Sequence, residues 1–565
     1  MSGFVTPSLF PAWSIRPTSP LSKKANRSTF AATPIRGNRA RRSNFPTASA
    51  EPTLPFPNPE ENGAQTEVEL PKETLVAAED AAKNEMPKVV PSNEALDEDK
   101  AGLESAVGAV PTAKETEGSL WINSVVLARG NAVPIQLLED WRKEGEEKLE
   151  GLPLPSRRQE SWRFTDMRSL YGMRFKAIEE ECSVDVGQFA PKEAGIKLVF
   201  VDGEFRKELS SGMDDLLSAG GYAGGLEGFK GDLSSVKNAF VSTETSSSEG
   251  ELFPSLNAAI ARDVALIELP KNYQEEKPIC LIYASTGGSE GSAAAISAAR
   301  IAIIAGECSQ ASIMEYYVSA GGDERPFFFS SASTGVIAHS GANISHFAVN
   351  ETGNHGHHVA HMHATVQRDA SYNYKTIAAS GAVSRTVCGI DLNDSGAHGS
   401  VKGVTVVDQK RVCDVHSRIS HNAPQTSSDQ LQKNIAAERG RAIFNGKILV
   451  NREANGTESN QLCRSLLLSD KARVDAMPVL EISNPDVQCS HGATVSDLDE
   501  EQMFYLRSRG LTIDQGRSLL LESFALEVLE DVPISLVSDH VRRSAKKLAP
   551  NVQARDVQFV NFSSI

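Results

Sequence analysis

Two residues near the carboxyl end of the chain have the type and spacing for metal or sulfur chemistry. Cys489 and His491 are separated by one residue, so in an extended strand both side chains project from the same face. A thiolate beside an imidazole suits a soft or borderline metal ion, or the handling of sulfur. Two ligands leave a tetrahedral site incomplete, so the others must come from elsewhere or from another polypeptide. The alternative is a buried cysteine beside a hydrogen-bonded histidine, which is the commoner arrangement.

A second group of candidate ligands is the histidine-rich segment 355–363. In a strand, His361 and His363 share a face, and His357 joins them if the strand extends back, so the segment could bind metal. The H-E-x-x-H motif is absent and no adjacent carboxylate could act as a base, which argues against hydrolytic zinc chemistry. The pattern favours a polar, partly solvated strand and loop over a metal site.

The composition excludes several other functions. The formal charge of −16 argues against nonspecific nucleic-acid binding, and no run of 18 apolar residues predicts a membrane span. The seven cysteines form no C-x-x-C pair, so a disulfide framework, a zinc ribbon and a ferredoxin-type site are unexpected and a reducing compartment is favoured. The Walker A and G-x-G-x-x-G motifs are also absent.

The amino-terminal part of the chain has the composition of a targeting segment followed by a linker. Residues 1–50 contain eight basic residues and no acidic one, which is typical of an organelle transit peptide, and their Ser and Pro content favours a plastid. Residues 51–119 are rich in Glu, Pro and Ala and poor in aromatic residues, so we expect a disordered acidic linker.

The remaining chain divides into segments with different patterns of apolar residues. We expect a helical amino-terminal domain over 120–195, a β core over 196–475, a strand with helices over 476–550, and a tail over 551–565. Short apolar segments with Gly, Asn and Asp between them predict strands, and a solenoid and a sandwich fit this texture equally well.

Two capping boxes in the 476–550 segment, beginning at Ser496 and Thr512, predict a helical hairpin joined at Gly510. The second helix is expected to present one apolar face containing Ile513, Leu520, Phe524 and Val528. The basic amphipathic segment 536–548 is expected to form a solvated helix with one apolar face.

Several blocks of sequence resemble the SufD proteins of the SUF system for iron–sulfur cluster assembly. Residues 489–495 (CSHGATV) and 499–510 (DEEQMFYLRSRG) resemble the family's carboxyl-terminal signature. Residues 440–446 (GRAIFNG), 460–468 (NQLCRSLLL) and 161–165 (SWRFT) resemble three further blocks. The resemblance covers about 150–533 and is far more specific than a short motif.

The resemblance implies a mainly β fold: a right-handed parallel β-helix flanked by amino- and carboxyl-terminal helical domains. It implies a non-catalytic scaffold in the plastid stroma that pairs with a SufB subunit. The family's functional histidine falls on His491, with Cys489 beside it, at the interface with SufB. No cofactor is held permanently, and a transient iron–sulfur cluster or iron is shared with the partner. The ABC ATPase SufC is expected to dock on the carboxyl-terminal helices, at Phe504, Tyr505, Leu506, Arg507, Leu520 and Phe524.

One departure from the SufD pattern leaves an alternative open. Cys463 and the three residues that follow it resemble the C-D-S-[ML] segment of SufB, whose cysteine is the proposed assembly thiol. Cys463 is therefore a candidate sulfur acceptor, and a SufB-like paralogue that holds the cluster itself is one alternative function. The other is a β-helix carbohydrate-active enzyme, which would need converging carboxylates that residues 275–460 do not obviously supply.

Overall fold

The computed structural model describes residues 117–176, 189, 191–245, 252–286, 293–320, 327–530, 532 and 535–549. The predicted transit peptide and tail, and the linker up to residue 116, lie outside the described residues. The first helix begins at Glu117, so the last three residues of the predicted linker are helical. Among the described helices, none has both the length and the apolar character to cross a bilayer.

The core is a parallel β-solenoid in which successive strands from β4 onwards alternate between two sheets, and the antiparallel pairs β1–β2 and β3–β4 lie at its beginning. The first sheet contains β1 (Ile196–Val201), β2 (Glu204–Phe205), β5 (Ile279–Ser285), β7 (Gln310–Ser319), β9 (Asn343–Glu351), β11 (Ser371–Ala378), β13 (His398–Val407), β15 (Ser427–Ala436), β17 (Thr457–Leu467) and β19 (Val487–Ser496). The second sheet contains β3 (Tyr222–Gly225), β4 (Ala265–Leu269), β6 (Ala295–Ala305), β8 (Phe328–Ala338), β10 (His357–Val366), β12 (Val383–Leu392), β14 (Val412–His421), β16 (Arg441–Val450) and β18 (Arg473–Ile482).

The described helices precede β1, lie between β2 and β4, or follow β19. They are α1 (Glu117–Leu127), α2 (Gln136–Leu149), α3 (Arg168–Tyr171), α4 (Asp214–Ser218), α5 (Leu233–Thr245), α6 (Leu252–Ile260), α7 (Glu500–Ser508), α8 (Ile513–Leu526) and α9 (Ser535–Leu548). Leu256 of α6 packs with Phe329 and Val359 of the second sheet, while Leu521 of α8 packs in one cluster with Val404 and Val406 of the first.

The lumen of the first coils is closed and apolar. Ile313, Ile344 and Tyr372 are fully buried there, in one cluster with Ile390 and Val401. Each buried side chain of this size stabilises the fold by about 1.5–3 kcal/mol. A single buried acidic residue, Glu315, interrupts this cluster, and Tyr and Thr hydroxyls satisfy its carboxylate. Apolar stacking from coil to coil therefore accounts for the rigidity of this part of the solenoid.

The predicted β core is confirmed, and the structure selects the solenoid over the sandwich. The coils continue through β19 to Ser496, beyond the expected boundary at residue 475, because β18 and β19 add one further rung to each sheet. The capping box expected at Ser496 is wrong: the Asp499 side chain accepts hydrogen bonds from Glu501 and Gln502 and begins α7. The box at Thr512 and Gln515 is confirmed.

Candidate functional site

Cys489 and His491 lie on β19, the terminal strand of the first sheet. In register, Cys489 pairs with Ser459 of β17 and His491 pairs with Gln461. Ser459 and Gln461 are buried inside the coil, so the two candidate residues belong to the lumen-facing rows of the solenoid, as the period-two spacing predicted. His491 is nevertheless exposed and Cys489 is only half-buried. The pair therefore lies on the inner face of a coil that is open at its end.

The open end has two uncovered edges. β19 and β18 each stand last in the strand order of their sheets, and within the described chain no further strand pairs with either. Most of β19 is exposed, and β18 is at best half-buried. Edge strands present unpaired N–H and C=O groups, which makes them templates for a strand from another polypeptide. The last coil is thus the part of the solenoid that a partner can complete.

The thiol of Cys489 is held in an apolar corner of this open coil. It packs against a small cluster that contains Ile448, Val450 and Leu480. Burial raises the pKa of the Cys489 thiol above its ordinary value, so the resting group is protonated at neutral pH. A thiolate would form there when a metal ion or a positive charge from a partner approaches.

Below the open coil the lumen is polar. The Gln461 amide donates a hydrogen bond to Gln430, and the Gln430 amide donates to Ser417. Gly446 makes room for this ladder, because a Cβ there would meet Gln461 Nε2 at 2.3 Å. Gln461 Oε1 is buried and has no hydrogen-bond partner among the described residues. An unpaired acceptor therefore lies one rung below His491. Sequence reasoning missed Gln461, because a glutamine in a strand does not reveal that it faces the lumen.

Cys463, the candidate sulfur acceptor, is fully buried on β17 and pairs in register with Ala493. Burial raises the pKa of the Cys463 thiol, although hydrogen-bonding contacts with Ser465 and Asn434 oppose that shift. The Asn434 amide lies 3.6 Å from its sulfur. The structure does not bring Cys463 together with Cys489 and His491 at the surface, and its role as an acceptor stays a prediction.

The histidine-rich segment is buried, so the expectation of a partly solvated strand and loop is wrong for β10. His358 faces the lumen against Tyr317, at 4.6 Å between ring centroids. His357 and His363 face outwards. His357 contacts Ser169 at 2.8 Å, and His363 contacts Asp391 at 3.1 Å. The physical reason is that the amino-terminal helical layer covers the outer face of the second sheet.

Burial favours the neutral form of His357, His358 and His361. Burial lowers the pKa of His357 and His358 to about 4, and that of His361 to about 3. Among the described residues no group of three or more His, Cys, Asp or Glu side chains could hold a metal ion.

The carboxyl-terminal helices expose part of the predicted ATPase surface. Phe504 and Tyr505 are 74% and 57% exposed, and Arg507 is exposed beside them. Leu506 and Leu520 are half-buried. Phe524 is also half-buried, and its ring receives the Lys433 ammonium at 4.4 Å, so it contributes to the packing of α8 on β15.

The expected apolar face is confirmed at its carboxyl-terminal end, where Val528 is buried and Phe524 packs against the same cluster, and is wrong at Ile513. Gly516, Leu521 and Ala525 are the buried residues of α8, whereas Ile513 and Leu519 are 43% and 44% exposed. The exposed hydrophobic surface of the helical hairpin therefore consists of Phe504, Tyr505, Ile513 and Leu519. Helical periodicity located the helix correctly but assigned Ile513 to the wrong face, because it could not tell which face the solenoid covers.

Two family descriptions match most of the ordered chain. Residues 286–524 match the SufBD core domain of the SUF system for FeS cluster assembly, and residues 129–281 match the SufBD protein N-terminal region. The iron–sulfur cluster assembly protein SufD of Escherichia coli strain K12 is 30% identical over 378 residues, which span 67% of this chain and 85% of that protein.

Two photosynthetic relatives extend the match. Protein ABCI7, chloroplastic, of Arabidopsis thaliana is 29% identical over 430 residues, or 75% of this chain and 88% of that protein. An iron–sulfur cluster assembly SufBD family protein of Synechocystis is 29% identical over 416 residues, or 72% of this chain and 90% of the relative. The predicted resemblance to SufD is confirmed, and neither alternative function is favoured. The chain belongs to the SufBD family and is a component of the SUF machinery for iron–sulfur cluster assembly.

Proposed function

We propose that this chain is a SufD-like scaffold subunit, without catalytic activity of its own, that works with a SufB-like subunit and a SufC-like ATPase. The observation that carries the proposal is the open last coil, where Cys489 and His491 occupy lumen-facing positions but remain accessible. Two ligands are insufficient for iron or a cluster, so the missing ligands would come from the SufB-like partner.

The open edges support pairing between two solenoids. A partner strand added to β18 or β19 would satisfy the unpaired backbone groups and bury the exposed Val495 and Ile482 side chains. Closure would also exclude water from the thiol–imidazole pair, which strengthens every electrostatic interaction there. The iron or nascent cluster is then a shared cargo at the interface and leaves with the next carrier.

The energy for assembly and release would come from the ATPase partner. The chain carries no Walker A motif, so a conformational step driven by ATP has to be transmitted from another subunit. The exposed hydrophobic surface formed by Phe504, Tyr505, Ile513 and Leu519 suits such a docking partner, because contiguous exposed apolar residues mark interaction sites.

The chloroplastic Arabidopsis relative and the basic, acid-free segment 1–50 together support a location in the plastid stroma. Import of the full-length chain into isolated chloroplasts is the test. We expect a shortened product in the stromal fraction, whereas a chain that is neither imported nor shortened would contradict the assignment.

The scaffold proposal is tested by co-purification and reconstitution. The mature chain should bring down a SufB-like protein and an ABC ATPase, and the His491→Ala variant should retain both partners while the yield of cluster falls. Gln488→Ala is the matched control, because Gln488 lies on the same strand with its side chain on the opposite face of the sheet. Full cluster assembly by the His491→Ala complex would reject the role of this site.

A further inference from the structure

Gln461 is an unusual residue to find buried in a solenoid lumen with one polar atom unpaired. Its side chain is only 2% exposed, yet Oε1 has no hydrogen-bond partner in the described part of the chain. A buried amide oxygen without a partner lowers the stability of the fold. Buried polar atoms are almost always satisfied, so an orphaned acceptor beside a candidate site indicates that its partner is supplied in another state of the protein.

The orientation of the Gln461 amide is fixed by the ladder beneath it. Gln461 Nε2 donates to Gln430 Oε1, and Gln430 Nε2 in turn donates to Ser417 Oγ. All the donors of this ladder point away from the open end. Reversal of the Gln461 amide would set two carbonyl oxygens against each other, so Oε1 is the atom that remains unused. Gly446 borders the same space and has no Cβ, so it leaves room for the Gln461 amide.

The next rung above Gln461 is His491. The two residues are directly paired in register between β17 and β19, and both belong to the lumen-facing rows. His491 is exposed in this structure and forms no hydrogen bond with Gln461, and within the described residues no strand pairs with the outer edge of β19. Hydrogen bonds at functional sites often tighten only in the assembled complex.

We propose that Gln461 is a positioning residue for His491: when a partner covers the open coil, Gln461 Oε1 accepts the N–H of one imidazole nitrogen. The other nitrogen is then left as a lone pair that faces the shared iron or cluster. Histidines that bind metal commonly donate their second N–H to an oxygen acceptor, which fixes the tautomer and the plane of the ring. This inference rests on the proposed function, since it requires the SufB-like partner.

The test measures the tautomer of His491 and the loading of iron in the complex with the SufB-like and SufC-like partners. Imidazole carbon and nitrogen shifts of histidine-labelled chain report the tautomer, and the His491→Asn variant assigns the signal. In the wild-type complex His491 should populate one neutral tautomer, whereas in the free chain it should populate both. In the Gln461→Leu complex the mixture should return, and binding of ferrous iron alone should weaken by about 10- to 100-fold.

The matched control is Gln432→Leu. Gln432 is an equally buried lumen glutamine on β15, but it pairs in register with Cys463 rather than with the last coil, and its amide donates to Thr405 and Asn434. Its replacement should lower the melting temperature to a similar extent without changing the tautomer.

A single His491 tautomer in the Gln461→Leu complex would overturn the assignment, as would an equal loss of the tautomer in the Gln432→Leu control. A wild-type chain that binds no SufB-like partner would overturn the proposed function itself, and the role of Gln461 would fall with it. The two failures are distinguishable because complex formation is measured before any histidine signal is compared.

Discussion

The closed coils and the open last coil of the solenoid are built from the same repeating strand pair but differ in what fills and covers them. Around Ile344 and Tyr372 the lumen is apolar, both sheet faces are buried, and each strand has neighbours on both sides. At β19 the lumen rows end in Cys489 and His491, which face solvent. The closed coils are therefore tightly packed with fully paired strands, whereas the open coil keeps unsatisfied groups that a partner can pair.

The largest difference in stability between variants of the two regions is expected when the charge of a buried ion pair is removed. Arg385 on β12 forms a buried ion pair with Asp414, donates to Ser161 O at 3.0 Å, and lies 3.9 Å from the Trp162 ring centroid. Arg385→Met leaves the buried Asp414 carboxylate with only His416 and the Thr165 hydroxyl as partners, so the free energy of unfolding should fall by up to about 3–5 kcal/mol.

Arg441 on β16 is the counterpart nearer the open end, with a pair to Asp475 at 2.7 Å whose side chains are 19% and 24% exposed. Arg441→Met should cost less than Arg385→Met, because solvent reaches and screens this pair but not the pair of Arg385 with Asp414. Urea denaturation of both variants checks the contrast. Equal losses would mean that the two ends of the solenoid are not differently buried.

Apolar truncation sharpens the same contrast. Ile344 is fully buried in the closed coils, so Ile344→Ala should lower the free energy of unfolding by about 2–5 kcal/mol through lost burial and a cavity. Val495 on β19 is 47% exposed, and Val495→Ala should change the stability of the isolated chain by less than about 0.5 kcal/mol. A large loss from Val495→Ala would show that the last coil is already packed without a partner.

Acid should destabilise the closed part through Glu351, at the end of β9. Burial alone would raise the pKa of this carboxyl, but the hydrogen bond and charge of His540, with contributions from Tyr316 and Arg543, lower it to about 2. A carboxyl group whose pKa is lower in the folded than in the unfolded chain stabilises the fold at pH values above its unfolded pKa. This contribution is lost as the pH falls towards 2. Glu351→Gln should therefore flatten the loss of stability between about pH 5 and 2.

The measurement is urea denaturation at several pH values. Glu481→Gln on β18 serves as the control, since its pair with Lys447 is exposed and should contribute little. An unchanged pH slope in Glu351→Gln would show that α9 is not fastened to the solenoid through this carboxyl.

The smallest effect on stability is expected for the thiols at the open end. Cys489→Ser should leave the free energy of unfolding within about 0.5 kcal/mol, because the side chain is half-buried at an edge. Reactivity should separate the thiols clearly: Cys489 should be alkylated in the native chain, and Cys463 only after unfolding, because Cys463 is fully buried. Peptide mapping by mass spectrometry reads both sites. Equal labelling in the native state would contradict the burial of Cys463.

Sequence reasoning reached the β core, the helical ends and the shared face of Cys489 and His491, because strand alternation and capping residues are local signals. It could not reach features that depend on what covers a strand. The burial of His357 and His363 follows from the helical layer above the second sheet, and the exposure of Ile513 follows from the side of α8 that the solenoid covers. Gln461 became visible as a site residue only when the register placed it beneath His491.

Hydrogen exchange of strand β19 tests directly whether a SufB-like partner covers the open coil. Backbone amides of residues 487–496 should exchange rapidly in the isolated mature chain and become strongly protected when a SufB-like partner is added, while the closed coils around residues 343–378 remain protected throughout. Unchanged exchange in residues 487–496 within a confirmed complex would contradict the account, because the open coil would then not be the surface that the partner completes.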